Sequence, residues 1–322
     1  MKFKKIIYLA VLVLGIFLLS SNPSYAKSKK YRKLMRNFVI NISKYAKKQN
    51  NSFIVIPQNA PELLAKEKYK ILPDREYLNA IDGIGIESLN YGYNNSRIAR
   101  EEYFYKIKAL KHAKEANKKI LVIEYSMKKN RIRLNRKKKE RFDFITYHAP
   151  NRELDRFPKR LKKSNKKNIK KISDIKNFSY LINPRKYSSK KRFLKALNKN
   201  NYDLIVIDPF FFETRLTKKE INSLKYKKNG KKRLIIAYLS IGEAEDYRDY
   251  WKKKWMKKYP GWIVEENPNW PGNYVVKYWY RSWKKIIFGR EKSYLDKIIK
   301  TGFDGVYLDT IDSYEYFQNK ES

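Results

Sequence analysis

Eight short apolar runs punctuate the chain, each rich in Val, Ile, Leu or Tyr and nearly free of internal polar residues. They are Ser52–Pro57, Gly83–Glu87, Lys119–Tyr125, Phe142–Tyr147, Ser179–Ile182, Asp203–Asp208, Arg233–Ser240 and Phe303–Leu308. Such runs suit strands of a parallel sheet covered on both faces, because polar alternation disappears when neither face meets water. Segments with helical spacing lie between them. Lys30–Lys48 sets Leu34, Phe38, Ile42 and Tyr45 on one stripe, and Ser96–Asn117 opens on a serine suited to cap a helix. Lys191–Asn198 and Lys218–Lys225 are shorter, and Trp283–Lys300 reads as one long amphipathic helix. Strands alternating with helices predict βαβ units. Eight of them predict an α/β fold, a closed (β/α)8 TIM barrel, forming one domain over residues 27–322.

The N-terminus stands apart from this pattern. It opens Met1-Lys2-Phe3-Lys4-Lys5, runs apolar from Ile6 to Leu19 and reaches Ser24-Tyr25-Ala26. A basic start, a short apolar stretch and a small-x-small triplet predict a secretory signal over residues 1–26, cleaved after Ala26. The apolar run falls short of the ~20 residues of a membrane span; an uncleaved anchor is the alternative reading. No later segment is apolar enough to cross a bilayer. The expected location is secreted, periplasmic or cell-surface.

Composition removes several chemistries. The absence of cysteine excludes disulfides, thiolate metal sites, cysteine nucleophiles and lipid attachment at the cleavage site. The two histidines, His112 and His148, read as ordinary loop or surface residues, so no metal site is expected. No GxGxxG or GxxxxGK[ST] phosphate loop occurs, and no cofactor is expected. The formal charge is +43, and a field of that sign attracts polyanions. Anionic cell-surface polymers are therefore candidate partners, and no specific nucleic acid is expected. Abundant Lys, Asn, Ile and Tyr can equally be a composition bias. Lys159–Lys176, dominated by Lys and Asn, reads as a surface linker, with an anion-binding arm as the alternative. Lys128–Arg141 is also basic but has helical spacing.

In a (β/α)8 barrel the active site lies at the carboxyl ends of the strands. Gln58 and Asn59 follow the first run; Glu87 ends the second, Glu124 lies near the end of the third and Asp208 ends the sixth. Ser240 and Glu243 follow at the end of the seventh, and Asp309 and Asp312 follow the eighth. Paired carboxylates suit glycosidic cleavage, in which one protonates the leaving oxygen and the other attacks the anomeric carbon or activates water. Aromatics near the same ends, Tyr91, Tyr93, Trp270, Tyr278, Trp279, Tyr280, Trp283, Tyr314 and Tyr316, are candidates to stack on sugar faces or to fill the core.

Three blocks resemble a known family. Tyr238-Leu239-Ser240-Ile241-Gly242-Glu243-Ala244-Glu245, the Trp270–Trp279 region and Gly302–Asp312 are similar to signatures of the endo-α-1,4-polygalactosaminidase-like proteins, glycoside hydrolase family 114 and relatives. Val55–Asn59, Asp82–Leu89 and Val122–Tyr125 resemble further blocks of that family, but here they come first, so the chain resembles a circular permutant joined through residues 159–176. The resemblance implies an α-glycosidase acting on amino-sugar polymers. It implies Asp309 and Glu87 as the catalytic pair. It sets Asp208, Glu243, Arg248, Tyr278, Asp312, Glu124, Asn59 and Trp279 around a polysaccharide substrate. A cationic protein accepts a neutral, acetylated or acidic glycan more easily than polygalactosamine. The rival readings are a catalytically inactive glycan-binding barrel at the cell surface and a basic polyanion-binding surface protein.

Overall fold

The computed structural model describes residues 23–67, 72–92, 96–125, 128–158 and 164–320. The expected signal segment lies almost wholly outside them, as does Tyr93. All eight expected strands form: β1 (Ile54–Pro57), β2 (Gly83–Glu87), β3 (Lys119–Glu124), β4 (Ile145–His148), β5 (Phe178–Leu181), β6 (Leu204–Ile207), then β9 (Leu234–Ser240) and β13 (Gly305–Asp309). A short hairpin, β7 (Phe210–Phe211) and β8 (Thr214–Arg215), follows β6, and β10 (Glu243–Glu245), β11 (Ile263–Glu266) and β12 (Asn273–Val276) form an antiparallel sheet before β13. That insertion was not foreseen from the sequence.

The long strands pair in parallel in the order β1-β13-β9-β6-β5, and β2-β3-β4 form a second parallel sheet. A parallel bridge between Gln58 and Gly85 joins the two at the β1–β2 seam. On the far side β4 and β5 run close together, without a ladder among the described residues. The hydrogen bonds therefore draw two parallel sheets rather than the single closed ring expected. β6 and β9 are buried along their whole length, which is why their sequences carry no alternation.

The edge facing away from the carboxyl ends shows a repeated device. An amide at or just before the start of a strand needs an acceptor, because a buried unpaired amide is costly. Asp82 accepts the amide of Val55, Asp203 that of Lys176 and Asp304 that of Ile235, each at 2.8 Å. Each aspartate is then neutralised by a lysine: Lys47 at 3.0 Å, Lys227 at 2.8 Å and Lys225 at 2.7 Å.

The N-terminal helix, Pro23–Gln49, buries Tyr31, Met35, Phe38, Val39, Ile42 and Ala46. Leu34 and Tyr45, expected on the stripe, sit at its flanks, half-buried. The helix lies against Arg75–Ala80, which follows β1, and Tyr314–Lys320, which follows β13. Arg36 pairs with Asp74 at 3.0 Å, and Ser43 donates to the Ala80 carbonyl at 2.6 Å.

Two sequence expectations need correction. Ser96 caps nothing; the helix starts at Arg100 with Ala99 at its cap. Trp283–Lys300 is two helices, Arg281–Ile287 and Tyr294–Thr301, because Gly289 turns the chain at φ 89° and the Ser293 hydroxyl caps the second by accepting the Asp296 amide at 3.4 Å. Residues 164–176 of the basic stretch, read from the sequence as a surface linker, are held against the body of the fold. Ile169 and Ile175 are buried, and the carbonyls of Asn165 and Lys167 each accept Lys227 Nζ at 2.8 Å. Among the described residues no helix is long and apolar enough to cross a membrane.

Candidate active site

Glu87 ends β2 and is fixed from two sides. Its amide donates to Asn59 Oδ1 at 3.0 Å, while the Asn59 amide donates to the Gly85 carbonyl at 2.7 Å. Asn59, Ala60 and Ser88 all take the left-handed backbone region, with φ of 64°, 46° and 52°. Non-glycine residues there carry a strain that surrounding structure must hold. The Tyr125 hydroxyl donates to the Glu87 carboxylate. The Arg152 guanidinium lies 4.4 Å from the Tyr125 ring centroid, and its Nη2 donates to the Gly92 carbonyl at 2.9 Å. Burial, reinforced by the charge of Asp309, lifts the Glu87 pKa to about 7 against the opposing bonds from Tyr125 and Asn59.

Asp309 ends β13, separated from β2 by β1. It accepts the Tyr238 hydroxyl on Oδ2 and the Thr310 amide on Oδ1, each at 2.8 Å. Burial raises its pKa; Tyr238 and Thr310 act the other way and favour the carboxylate. Thr310 is β-branched yet sits at φ 58°. Its Oγ1 accepts the Gly242 amide at 2.8 Å and lies 2.9 Å from Ser240 Oγ. Gly242 is required for this approach, since a Cβ there would fall 2.1 Å from the Thr310 carbonyl oxygen. Asp312 follows in the turn Ile311–Ser313, and burial next to Asp309 lifts its pKa to about 8.

The floor beneath the two acids is aromatic. Tyr307 crosses from β13 towards β2 and meets Tyr180 at 5.1 Å between centroids. A Cβ on Gly85 would lie 1.7 Å from the Tyr307 hydroxyl, so only glycine admits that ring.

On the β6 side Arg248 bridges two carboxylates. Its Nη1 and Nη2 donate to both oxygens of Asp208 at 2.8 Å, and its Nε donates to Glu245 at 2.7 Å. Such two-pronged bonds fix both partners in one plane. Burial raises the Asp208 pKa, with Arg248 opposing. Glu243 accepts Asn267 Nδ2 at 2.8 Å, and its pKa is raised by burial and also by Asp309. The strand ends therefore carry Glu87, Asp208, Glu243, Glu245, Asp309 and Asp312 against Arg152 and Arg248. Among the described residues no three His, Asp or Glu side chains form a metal-binding group.

Three expected substrate contacts have other work. Glu124 is fully buried, and its Oε1 accepts the backbone amide and side-chain amide of Asn90 at 2.9 and 2.8 Å, tying down the loop after β2. Tyr278 is fully buried with its hydroxyl on the Tyr31 carbonyl at 2.9 Å, so it offers a substrate no surface. Trp279 packs edge-on to Phe317 at 4.7 Å and beside Tyr31, in the seam that holds the N-terminal helix. Trp283 is likewise core, stacked on Trp262 at 5.0 Å. Sequence reasoning missed Tyr125, Tyr238, Glu245 and Thr310. A polar ring inside an otherwise apolar strand, as Tyr238 is in Leu234–Ser240, was the available signal.

Residues 160–322, slightly more than half of the chain, match glycoside-hydrolase family GH114. The chain belongs to this family. The GH114 match takes in Asp208, Glu243, Arg248, Asp309 and Asp312, while Glu87 and Asn59 precede it. An uncharacterized protein of Methanocaldococcus jannaschii is 46% identical over 167 residues, 50% of this chain and 46% of its own. An uncharacterized protein of Thermotoga maritima is 58% identical over 82 residues, 26% of this chain and 24% of its own. One of Deinococcus radiodurans is 40% identical over 128 residues, 39% of each chain. The chain thus spans less than half the length of these relatives.

Proposed function

We propose that this GH114 member is an exported glycoside hydrolase that cleaves an α-linked, amino-sugar-containing polysaccharide with Glu87 and Asp309. One observation carries the reading. Two half-buried acids end strands on either side of β1, and Asp309 helps raise the Glu87 pKa to about 7. A carboxyl group with that pKa is substantially protonated at neutral pH and can deliver its proton to a glycosidic oxygen. Asp309, held by Tyr238 and the Thr310 amide, is kept available as the carboxylate that attacks the anomeric carbon or activates water. Asp208 and Glu243 line the neighbouring strand ends and would bind the sugar; Asp312 and Asn59 would orient the pair.

The balance of charge at the strand ends favours a substrate with free ammonium groups. The net charge of the whole chain argued against such a polymer, but Coulomb forces at contact range depend on local groups, and distant lysines are screened over about 8–10 Å. With Glu87 and Asp312 largely protonated at neutral pH, Asp208, Glu243, Glu245 and Asp309 still outnumber Arg152 and Arg248, so a partly deacetylated amino-sugar polymer fits.

The same reading takes the eight parallel strands as a (β/α)8 barrel closed through the β4–β5 seam, in circularly permuted order. The position of Pro23–Gln49 between the helices after β13 and β1 supports the permutation, because the helix fills the gap that a break in the ring would leave. The test is release of reducing ends from synthetic α-1,4-galactosamine oligomers with and without N-acetyl groups. Wild type should cleave at least one of them, and Glu87→Gln and Asp309→Asn should not. Binding without cleavage by the wild type would leave the glycan-binding reading instead.

A further inference from the structure

Five of the six tryptophans pack against another ring: Trp251, Trp255, Trp262 and Trp283 in one chain of contacts, and Trp279 beside the N-terminal helix. Trp270 is the exception. It is 58% exposed and has no ring contact among the described residues. It does not sit in a loose loop. In the turn between β11 and β12 the Asn267 amide donates to the Asn273 carbonyl at 2.7 Å, the Trp270 amide to the Asn267 carbonyl at 3.0 Å, and the Asn273 amide to the Trp270 carbonyl at 3.0 Å. Both ends of that turn are tied to the candidate site. Asn267 Nδ2 donates to Glu243 at 2.8 Å, and Asn273 Oδ1 lies 3.1 Å from the Tyr247 hydroxyl. Tyr247 is 50% exposed and equally fixed: its hydroxyl donates to Glu245 Oε1 at 2.7 Å, and the Arg248 guanidinium stands 5.0 Å from its ring centroid. Glu245 shares Arg248 with Asp208, and its charge helps raise the Asp309 pKa. Two exposed aromatic side chains are thus held through Asn273, Trp270 by its backbone and Tyr247 by its hydroxyl, next to the strand-end acids.

A large ring left in water adds nothing to the stability of the free fold, and fixed rings with one apolar face open are what binding surfaces use. Two acids edge the same turn. The Asp246 amide donates to the Gly272 carbonyl at 2.9 Å, and Glu266 Oε1 accepts the Gly272 amide at 2.7 Å. Neither has an ion pair among the described residues, and the Asp246 pKa is raised by burial and by the charges of Glu266 and Glu245. We propose that Trp270 and Tyr247 form an outer subsite that stacks on substrate sugars beyond those flanking the cleaved bond, and that Asp246 and Glu266 select sugars carrying a free ammonium group there. This inference rests on the glycoside-hydrolase reading of Glu87 and Asp309. The apolar face of a sugar covers a ring that water covers poorly. An ammonium beside the ring gains attraction from its π face and relieves the repulsion between Asp246 and Glu266. A neutral or acidic sugar would leave both carboxylates without a counter-charge. A chain too short to run from Glu87 to this turn cannot use the subsite, so binding should depend on chain length.

The test uses the full chain and synthetic α-1,4-galactosamine trimer and hexamer, each with free amines and fully N-acetylated. Binding is measured in the Glu87→Gln protein and cleavage in wild type. The free-amine hexamer should bind Glu87→Gln at least about tenfold more tightly than the trimer, and adding Trp270→Ala should remove most of that gain. Tyr247→Leu should act in the same direction, while Tyr247→Phe, which keeps the ring, should hold hexamer affinity within about threefold. Asp246→Asn with Glu266→Gln should narrow the preference for the free-amine hexamer over its N-acetylated form by at least about threefold. In wild type kcat/KM should climb from trimer to hexamer, and Trp270→Ala should flatten that climb. Equal binding of trimer and hexamer, a hexamer affinity unmoved by Trp270→Ala in a folded protein, or an amine preference unmoved by the paired acid substitutions would each overturn the proposal. Length-dependent binding that is lost with Trp270→Ala, in a protein that cleaves none of the oligomers, would leave the subsite standing and remove the hydrolase reading instead.

Discussion

The Tyr125 hydroxyl donates to the Glu87 carboxylate, and that bond opposes the burial that keeps the acid protonated. Tyr125 thereby tunes the proposed proton donor. Tyr125→Phe removes the donor that favours the ionised form, so the Glu87 pKa should rise. Activity that requires protonated Glu87 is lost as pH rises through about 7, and in the variant this alkaline limb should move to higher pH. A kcat/KM profile against pH measures it. An unmoved limb would remove Tyr125 from this role.

The raised pKa also has a sign for stability. Glu87 goes from an ordinary glutamate value of about 4.3 in the unfolded chain to about 7 in the fold. Between those values the folded state binds more protons, so this contribution is complete below about pH 4 and is lost as pH rises through 7. Glu87→Gln, neutral at every pH, should therefore match wild type at pH 4 and be more stable at pH 8, by roughly 3–4 kcal/mol. Urea unfolding at the two pH values checks this. The substitution expected to abolish activity is thus expected to stabilise the fold.

Lys227 and Asp203 form a fully buried ion pair at 2.8 Å. Replacing Lys227 by Met leaves Asp203 charged and buried and frees the carbonyls of Asn165 and Lys167. The expected cost is about 3–5 kcal/mol, read as a lower denaturation midpoint. Lys227→Met with Asp203→Asn should recover part of it.

Much of this fold was legible because strands buried on both faces spell themselves in Val, Ile and Leu, as Asp203–Asp208 and Arg233–Ser240 do. The strand-end acids Glu87, Asp208 and Asp309 were legible for the same reason, since a carboxylate stands out at the close of an apolar run. What escaped depended on contacts distant in sequence. Tyr278 and Trp279 look like a sugar platform until the N-terminal helix is seen to cover them. Glu124 looks like another rim acid until Asn90 is found against it. The break in Trp283–Lys300 turned on one glycine with positive φ and one serine cap, signals weaker than the apolar periodicity running through both helices. The antiparallel β10–β12 insertion has short strands, and its polar, aromatic-rich sequence gives no clean alternation.

A crystal structure of Glu87→Gln soaked with an α-1,4-linked amino-sugar oligomer tests the central claim most directly. The expected result puts a glycosidic oxygen within hydrogen-bond reach of the carboxamide introduced at position 87, with the adjoining anomeric carbon facing Asp309. A separation of about 5–5.5 Å between that carboxamide and the Asp309 carboxylate would fit retention, and about 6.5–9.5 Å inversion. An oligomer seated away from both side chains, or side chains 87 and 309 opening into separate cavities, would contradict the two-carboxylate account.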